Sequence, residues 1–142
     1  MPESRPTQAQ RAAVAARAVD CCEYCLSAAK YAVQSFSIEH IVPISKGGDT
    51  DLNNLALACQ GCNNHKYTKT EAIDPVTGTA VSLYHPRQHQ WQDHFVWSDD
   101  FLTIQGISPA GRATVAALQL NRAGVQNLRR LLKAVGEHPP KL

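Results

Sequence analysis

The chain has 142 residues, a formal net charge of +2, and 44% hydrophobic and 18% charged residues. These values are those of a globular protein with room for one modest core. No apolar run approaches the ~20 residues that a membrane span needs, so we expect no membrane partner. The first ten residues lack the apolar stretch of a secretory signal, and we therefore expect a cytoplasmic location.

The first predicted element in chain order is a helix over residues 8–19. Thr7 is a suitable N-cap, because its hydroxyl can accept a hydrogen bond from the first turn. Several alanines favour the helix, and Val14 and Val19 supply a thin apolar face. Residues 1–20 are predicted to form an N-terminal helical segment.

Two Cys-x-x-Cys pairs follow, Cys22 with Cys25 and Cys59 with Cys62. Four thiolates in two such knuckles are typical of a tetrahedral zinc site, which can stabilise a segment too short to bury its own core. The 33 residues between the pairs exceed the spacing of an ordinary zinc ribbon. A disulfide framework is less favoured, since there is no secretory signal and five cysteines are an odd number. A thioredoxin-like redox pair is also less favoured, because it would need only one Cys-x-x-Cys. Cys21 falls outside the paired spacing and is predicted to be a free thiol.

The segment between the cysteine pairs predicts two strands joined by a loop. Residues 36–40 alternate apolar and polar side chains, which indicates a strand that ends before Pro43. Turn-forming residues over 45–51 predict a loop, residues 55–58 a second strand, and residues 62–72 a helix. This order of elements predicts an α+β fold class.

The C-terminal part is predicted to be a separate extension, residues 73–142, that carries two helices. Its first portion, residues 73–107, is predicted to be a linker or a region of short strands, with three histidines that we interpret as surface or packing residues: His85, His89 and His94. Ser108 and Pro109 are predicted to begin a helix that runs to about residue 120, and a second helix covers 122–136. Residues 101–142 contain six basic residues and one acidic residue, a local charge of +5. Such charge suits a phosphate backbone, although a solvated helix face would look the same.

Taken together, the motifs resemble the HNH endonuclease family, also called His-Me finger or ββα-metal nucleases. The residues that carry the resemblance lie within residues 18–70, between and beside the cysteine pairs: Glu39-His40-Ile41-Val42-Pro43, Gly47-Gly48, Asn54-Leu55 and Cys62-Asn63. The resemblance implies a small ββα-metal core over residues 21–72, held by a zinc site of four cysteines, with helical flanks. It also implies an enzyme that hydrolyses phosphodiester bonds in DNA and leaves a 5′-phosphate and a 3′-hydroxyl.

The resemblance also implies a role for each residue of the motif. His40 is the general base, Glu39 is a ligand of a catalytic divalent ion, and Asn54 spans the loop and orients the histidine. Asn63 stands where many members have histidine, so the pattern here is H-N-N and Asn63 is the implied second ligand. Oxygen ligands suit Mg²⁺ or Mn²⁺. His65, two residues further on, is the alternative ligand.

Basic residues in two places are predicted to contact the DNA backbone. Three lie within or just after the motif and three lie on the last helix: Lys46, Lys66 and Lys69, and Arg122, Arg129 and Lys133. Lysines near a helix N-terminus are favourable for phosphate oxygens. The alternative function is a catalytically inactive, zinc-dependent module that binds DNA or another partner. Such a module would share the zinc site and the basic helices but has no need of Glu39, His40 and Asn63 together.

Overall fold

The structure, a computed structural model, describes residues 5–142 of the chain. Its helices and strands, in chain order, are α1 (Gln8–Arg17), β1 (Ser37–His40), β2 (Leu55–Ala58), α2 (Gln60–Lys66), β3 (Glu71–Ile73), β4 (Ala80–Ser82), β5 (Phe95–Trp97), β6 (Ile104–Gly106), α3 (Pro109–Leu118) and α4 (Ala123–Ala134). The strands form three antiparallel pairs, β1 with β2, β3 with β4 and β5 with β6. The predicted α+β fold class is confirmed.

The segment between the cysteine pairs folds as a two-stranded hairpin followed by a helix. In the β1–β2 pair Ile38 lies opposite Leu57, and His40 lies opposite Leu55. Helix α2 begins at once after the second strand, with Cys59 as its N-cap. The predicted end of this helix at residue 72 is wrong, because Tyr67 has a positive φ of 49° that stops the helix after Lys66.

Helix α1 packs against the β1–β2 hairpin. Thr7 and Gln10 form a capping box, in which each side chain bonds to the main chain of the other residue. Val14 is fully buried against Leu55 and Leu57. The predicted apolar role of Val19 is wrong: the helix ends at Arg17, and Val19 has a positive φ and is 55% exposed.

Residues 73–107 form hairpin strands rather than a linker, and the two predicted helices follow. Ser108 caps α3, since its Oγ accepts a hydrogen bond from the Gly111 N–H at 2.9 Å. This helix ends two residues earlier than predicted because Gln119 adopts the left-handed conformation. Helix α4 also ends two residues earlier than predicted, at Ala134.

One hydrophobic cluster joins the two segments that the sequence predicts as separate, residues 21–72 and 73–142. Its buried members come from both segments and include Tyr24, Ala58, Leu83, Phe95, Ile104 and Leu118. Arg87 also forms an ion pair with Glu23 of the first knuckle, and Trp91 donates its indole N–H to the Tyr24 carbonyl at 3.1 Å. The extension therefore shares a core with the two cysteine knuckles.

Over residues 5–142, none of the helices combines the length and the apolar character that crossing a bilayer requires.

Candidate metal centre and catalytic loop

The four cysteines of the two pairs come together as one donor set. The Sγ atoms of Cys22, Cys25, Cys59 and Cys62 all lie within 4.8 Å of one another, and those of Cys25 and Cys59 are 3.6 Å apart. A tetrahedral ion with Zn–S bonds of about 2.3 Å places its sulfurs about 3.8 Å apart, so the cluster fits zinc. None of the five cysteines forms a disulfide, and Cys21 lies buried outside the set.

Two arginines of the extension lie at this centre. Arg122 places its guanidinium nitrogens 3.6–3.8 Å from the Sγ atoms of Cys59 and Cys62. Arg129 is only 3% exposed and donates to the carbonyls of Leu120 and Cys25, at 2.8 and 3.4 Å. These positions are incompatible with the predicted outer, DNA-facing side of the last helix, because both guanidinium groups are directed into the protein.

His40 stands at the end of β1 beside the loop of residues 41–54. Its imidazole is partly buried, and Nε2 lies 3.1 Å from the Thr50 hydroxyl. Burial lowers the pKa of His40 below its usual value, while the nearby carboxylate of Asp49 raises the pKa and offsets part of that effect. The imidazole is therefore neutral at physiological pH and can accept a proton.

Asn54 spans the loop from inside. Its Oδ1 accepts a hydrogen bond from the Val42 N–H at 2.9 Å, and its Nδ2 donates to the carbonyls of Val42 and Asp49 at 3.0 and 2.8 Å. Gly48 passes so close that an added Cβ would lie 1.8 Å from the Val42 carbonyl oxygen. The asparagine and the glycine together fix the path of the chain between His40 and Thr50.

Helix α1 supports the same loop from outside, through contacts that the sequence analysis missed. Gln10 of the capping box donates from Nε2 to the Thr50 carbonyl at 2.8 Å, while its Oε1 accepts from the Thr7 N–H. Arg17 donates to the Leu52 carbonyl at 2.8 Å. A capping box is visible in a sequence, but nothing in it indicates that the glutamine also bonds to a loop 40 residues away.

Glu39, the predicted metal ligand, is closed in by two neighbours. Its carboxylate is buried, with one oxygen accepting from the Tyr24 hydroxyl and the other 3.2 Å from the Lys66 ammonium. Burial raises the pKa of Glu39, and the Lys66 charge and the Tyr24 hydrogen bond act in the opposite direction. Each oxygen already has a protein partner and the residue is only 6% exposed, so the carboxylate is not presented to the surface as a ligand.

Lys66 is buried rather than directed at the surface, contrary to its predicted DNA contact. It is 1% exposed, and its Nζ donates to the Ile41 carbonyl at 2.8 Å in addition to pairing with Glu39. An ammonium in this position cannot reach a phosphate without leaving both partners. The structure thus replaces the predicted contact with a buried ion pair beside His40.

The remaining predicted residues lie nearer the surface. Asn63 and His65 are on α2, and within residues 5–142 the only group of three or more cysteine, histidine or acidic side chains arranged for a metal is the four-cysteine set. Lys46 and Lys69 are not buried. Lys133 is also exposed and donates to the Asp100 carbonyl at 2.8 Å.

Two of the three histidines within residues 73–107 pack against one tyrosine. The rings of His89 and His94 lie 6.0 and 5.8 Å from that of Tyr84, and their Nδ1 atoms are bonded to the His85 N–H and to the Ser108 hydroxyl. This arrangement fits the interpretation of the histidines as packing residues.

A family model described as HNH endonuclease matches residues 22–69, about a third of the chain. The matched segment begins at the first cysteine of the zinc set and ends just after α2. Neither a curated protein nor a solved structure matches the chain.

Proposed function

We propose that the chain is a DNA endonuclease with His40 as its general base, on the premise that residues 22–69, which match the HNH endonuclease family model, form a domain of that family. A nuclease-type function agrees with the family match. The assignment of the base is supported by one observation above all: the His40 imidazole lies at the end of β1 within hydrogen-bond distance of the Thr50 hydroxyl, beside a loop to which Asn54 and Gln10 both bond. Without such positioning, a histidine contributes little to proton transfer.

We propose the tautomer of His40 in which Nε2 carries the proton, because the Thr50 hydroxyl 3.1 Å away can accept it. When Nε2 carries the proton and donates to the Thr50 hydroxyl, Nδ1 is the nitrogen with a free lone pair. Nδ1 then takes a proton from the attacking water as the water oxygen bonds to phosphorus. The bond from phosphorus to the 3′ oxygen breaks and that oxygen takes a proton from solvent, so the products carry a 5′-phosphate and a 3′-hydroxyl.

The zinc centre is proposed to be structural, since all four of its donors are cysteines and none of its positions is left for water. Mg²⁺ or Mn²⁺ is proposed as the second cofactor on the strength of the family resemblance, and it would neutralise charge on the scissile phosphate. Because Tyr24 and Lys66 occupy Glu39, we assign no step of the reaction to an ion at that carboxylate.

The DNA path is proposed to follow the lysines near the catalytic loop, Lys46 and Lys69, with Lys133 as a more distant contact. Arg122, Arg129 and Lys66 are removed from the predicted set because their charged groups are directed into the protein. A cytoplasmic location remains part of the proposal.

A second candidate function is a zinc-dependent DNA-binding module without catalysis. The observation that favours it is the Lys66–Glu39 ion pair, which places a fixed positive charge where the resemblance implies a metal ion. In that case the lysine would neutralise the carboxylate permanently and no hydrolysis would occur.

Both candidates are tested by incubating the zinc-loaded protein with supercoiled plasmid, single-stranded DNA and branched DNA, with and without Mg²⁺ or Mn²⁺. The nuclease proposal predicts metal-dependent cleavage to ends that a ligase can rejoin, and no cleavage by His40→Ala prepared in the same way. A protein that binds DNA but cuts none of the three with either ion would be the binding module.

A further inference from the structure

We propose that Arg122 is a positioning residue for the zinc ion: its guanidinium holds the second knuckle closed on the metal and slows zinc release. The inference concerns the structural metal and does not depend on catalysis. It gives the C-terminal extension a task that the family resemblance, confined to residues 18–70, does not assign.

The geometry places one guanidinium against two metal ligands at once. The Arg122 Nη2 lies 3.6 Å from the Cys59 Sγ and 3.8 Å from the Cys62 Sγ, and Nη1 lies 3.7 Å from the Cys62 Sγ. Four thiolates around Zn²⁺ carry a net charge of −2, which is unfavourable in a buried site. A planar cation that donates to two of the sulfurs offsets that charge and holds both ligands of the second knuckle in place around the metal.

The second knuckle is shaped to receive this group. A Cβ built on Gly61 would meet the Arg122 guanidinium at 2.7 Å from Nη2 and 2.8 Å from Cζ. Gly61 lies inside α2, where alanine is normally the better helix former. Glycine at this position therefore leaves room for the arginine.

The same arginine is anchored from the other side. Its Nη1 donates to the carbonyls of Leu118 and Gln119, both at 3.0 Å, where α3 ends. The last carbonyls of a helix have no N–H partner within the helix, and they attract a cation. The anchor keeps the guanidinium over the thiolates, and through it α3 becomes coupled to the zinc centre.

The test measures the rate of zinc transfer from the full-length, zinc-loaded protein to a chromophoric chelator, together with thermal unfolding. Partners of this kind typically contribute ~10- to 100-fold to metal affinity, so Arg122→Gln should release zinc at least about tenfold faster. Arg122→Lys should lie between Arg122→Gln and the wild type, because it keeps the charge but lacks the planar fork.

Gly61→Ala supplies an independent variant in case Arg122→Gln fails to fold. It leaves the arginine and its carbonyl acceptors in place but pushes the guanidinium away from the sulfurs. It should also speed zinc release. The double variant Gly61→Ala/Arg122→Lys should release zinc only slightly faster than the faster of the two single variants, because both changes disrupt the same contact. If Gly61→Ala follows helix propensity alone, becoming more stable without faster release, the proposal is overturned.

Two controls separate the zinc contact from general destabilisation. Ser108→Ala removes the N-cap at the opposite end of α3 and should lower the melting temperature with little change in zinc transfer. Arg130→Gln removes an exposed arginine of α4 and should change neither quantity.

With Co²⁺ in place of zinc, Arg122→Gln should move the thiolate-to-metal charge-transfer band to lower energy, since the sulfurs lose hydrogen bonds. Unchanged zinc transfer and an unchanged band in Arg122→Gln would contradict the proposal.

Discussion

The zinc end and the proposed catalytic loop of this protein are stabilised in different ways. At the zinc end, four buried thiolates, two inward-directed arginines and the main hydrophobic cluster meet. The loop of residues 41–54 depends instead on a few side-chain hydrogen bonds, from Asn54, Gln10 and Arg17. The comparison indicates that folding depends mainly on the zinc end, whereas the position of the proposed base His40 depends on the loop.

Tyr24 connects the two ends. It lies between the cysteines of the first knuckle, and its hydroxyl donates to Glu39, the residue before His40. Burial raises the pKa of Tyr24 well above its usual value, and the charge of Glu39 raises it further, so the hydroxyl keeps its proton. Tyr24 is therefore a direct, buried contact between the first cysteine knuckle and strand β1.

The largest expected effect is at the zinc end. Cys59→Ser removes one ligand, and zinc binding contributes ~10 kcal/mol or more to folding in small metal-dependent domains. We expect insoluble or unfolded protein, and about one zinc per chain in the wild type by elemental analysis. Cys21→Ser, which changes a buried thiol outside the donor set, is the matched control and should retain zinc. A stable wild type without zinc would contradict the account.

Asn54→Ala should damage the loop while leaving the zinc end intact. It leaves the Val42 N–H and two loop carbonyls without their partner, which costs about 1–3 kcal/mol for each group left buried and unsatisfied. Misplacement of the base by about 1 Å can cost ~10²-fold in rate. The measurements are cleavage rate and zinc content, with the exposed neighbour Asn53→Ala as control. Equal rates for the two variants would show that Asn54 does not position His40.

The pH dependence of cleavage sharpens the assignment of the base. Because burial lowers the pKa of His40, the acid limb of kcat/KM should lie below the ordinary histidine value, with activity lost as pH falls through it. Asp49 raises this pKa, so Asp49→Asn should move the limb to still lower pH. Asp51→Asn, an exposed neighbour, is the control. A limb that moves in the opposite direction in Asp49→Asn would exclude His40 as the titrating group.

The smallest effect concerns DNA affinity. Each phosphate contact that is lost reduces the slope of log affinity against log salt by about one unit. Replacing both Lys46 and Lys69 with glutamine should flatten the slope by up to about two units, and Lys133→Gln by at most about one. Fluorescence anisotropy measures the affinity of the zinc-loaded protein for DNA at a series of salt concentrations, in buffer without Mg²⁺ or Mn²⁺. If only Lys133→Gln changes the slope, the DNA path runs over the zinc end instead.

The order of elements in the core could be predicted from sequence because it depends on local signals. Turn formers, alternating apolar residues and paired cysteines placed β1, β2 and the zinc set, and the strand Leu55–Ala58 was predicted to the residue. The ends of α1, α2 and α3 were less accurate. Each is followed by a non-glycine residue with positive φ, at Val19, Tyr67 and Gln119, and such conformations have no reliable sequence signature.

The basic residues were harder to predict, because a side chain's direction depends on contacts that are distant in sequence. Arg122 and Arg129 lie 60 and 104 residues from the cysteines they contact, and Lys66 lies 25 residues from the Ile41 carbonyl. Helical periodicity placed the arginines on one face but could not show that this face meets the zinc knuckles. The sequence does not distinguish a basic side chain that is buried beside thiolates or a carboxylate from one that is solvated.

The central claim is that His40 acts as the general base, and chemical rescue tests it most directly. His40→Ala should bind DNA and zinc as the wild type does but cut ~10²- to 10⁴-fold more slowly. Added imidazole should restore part of the rate, and the restored rate should follow the concentration of neutral imidazole. Cleavage by His40→Ala at the wild-type rate would contradict the account.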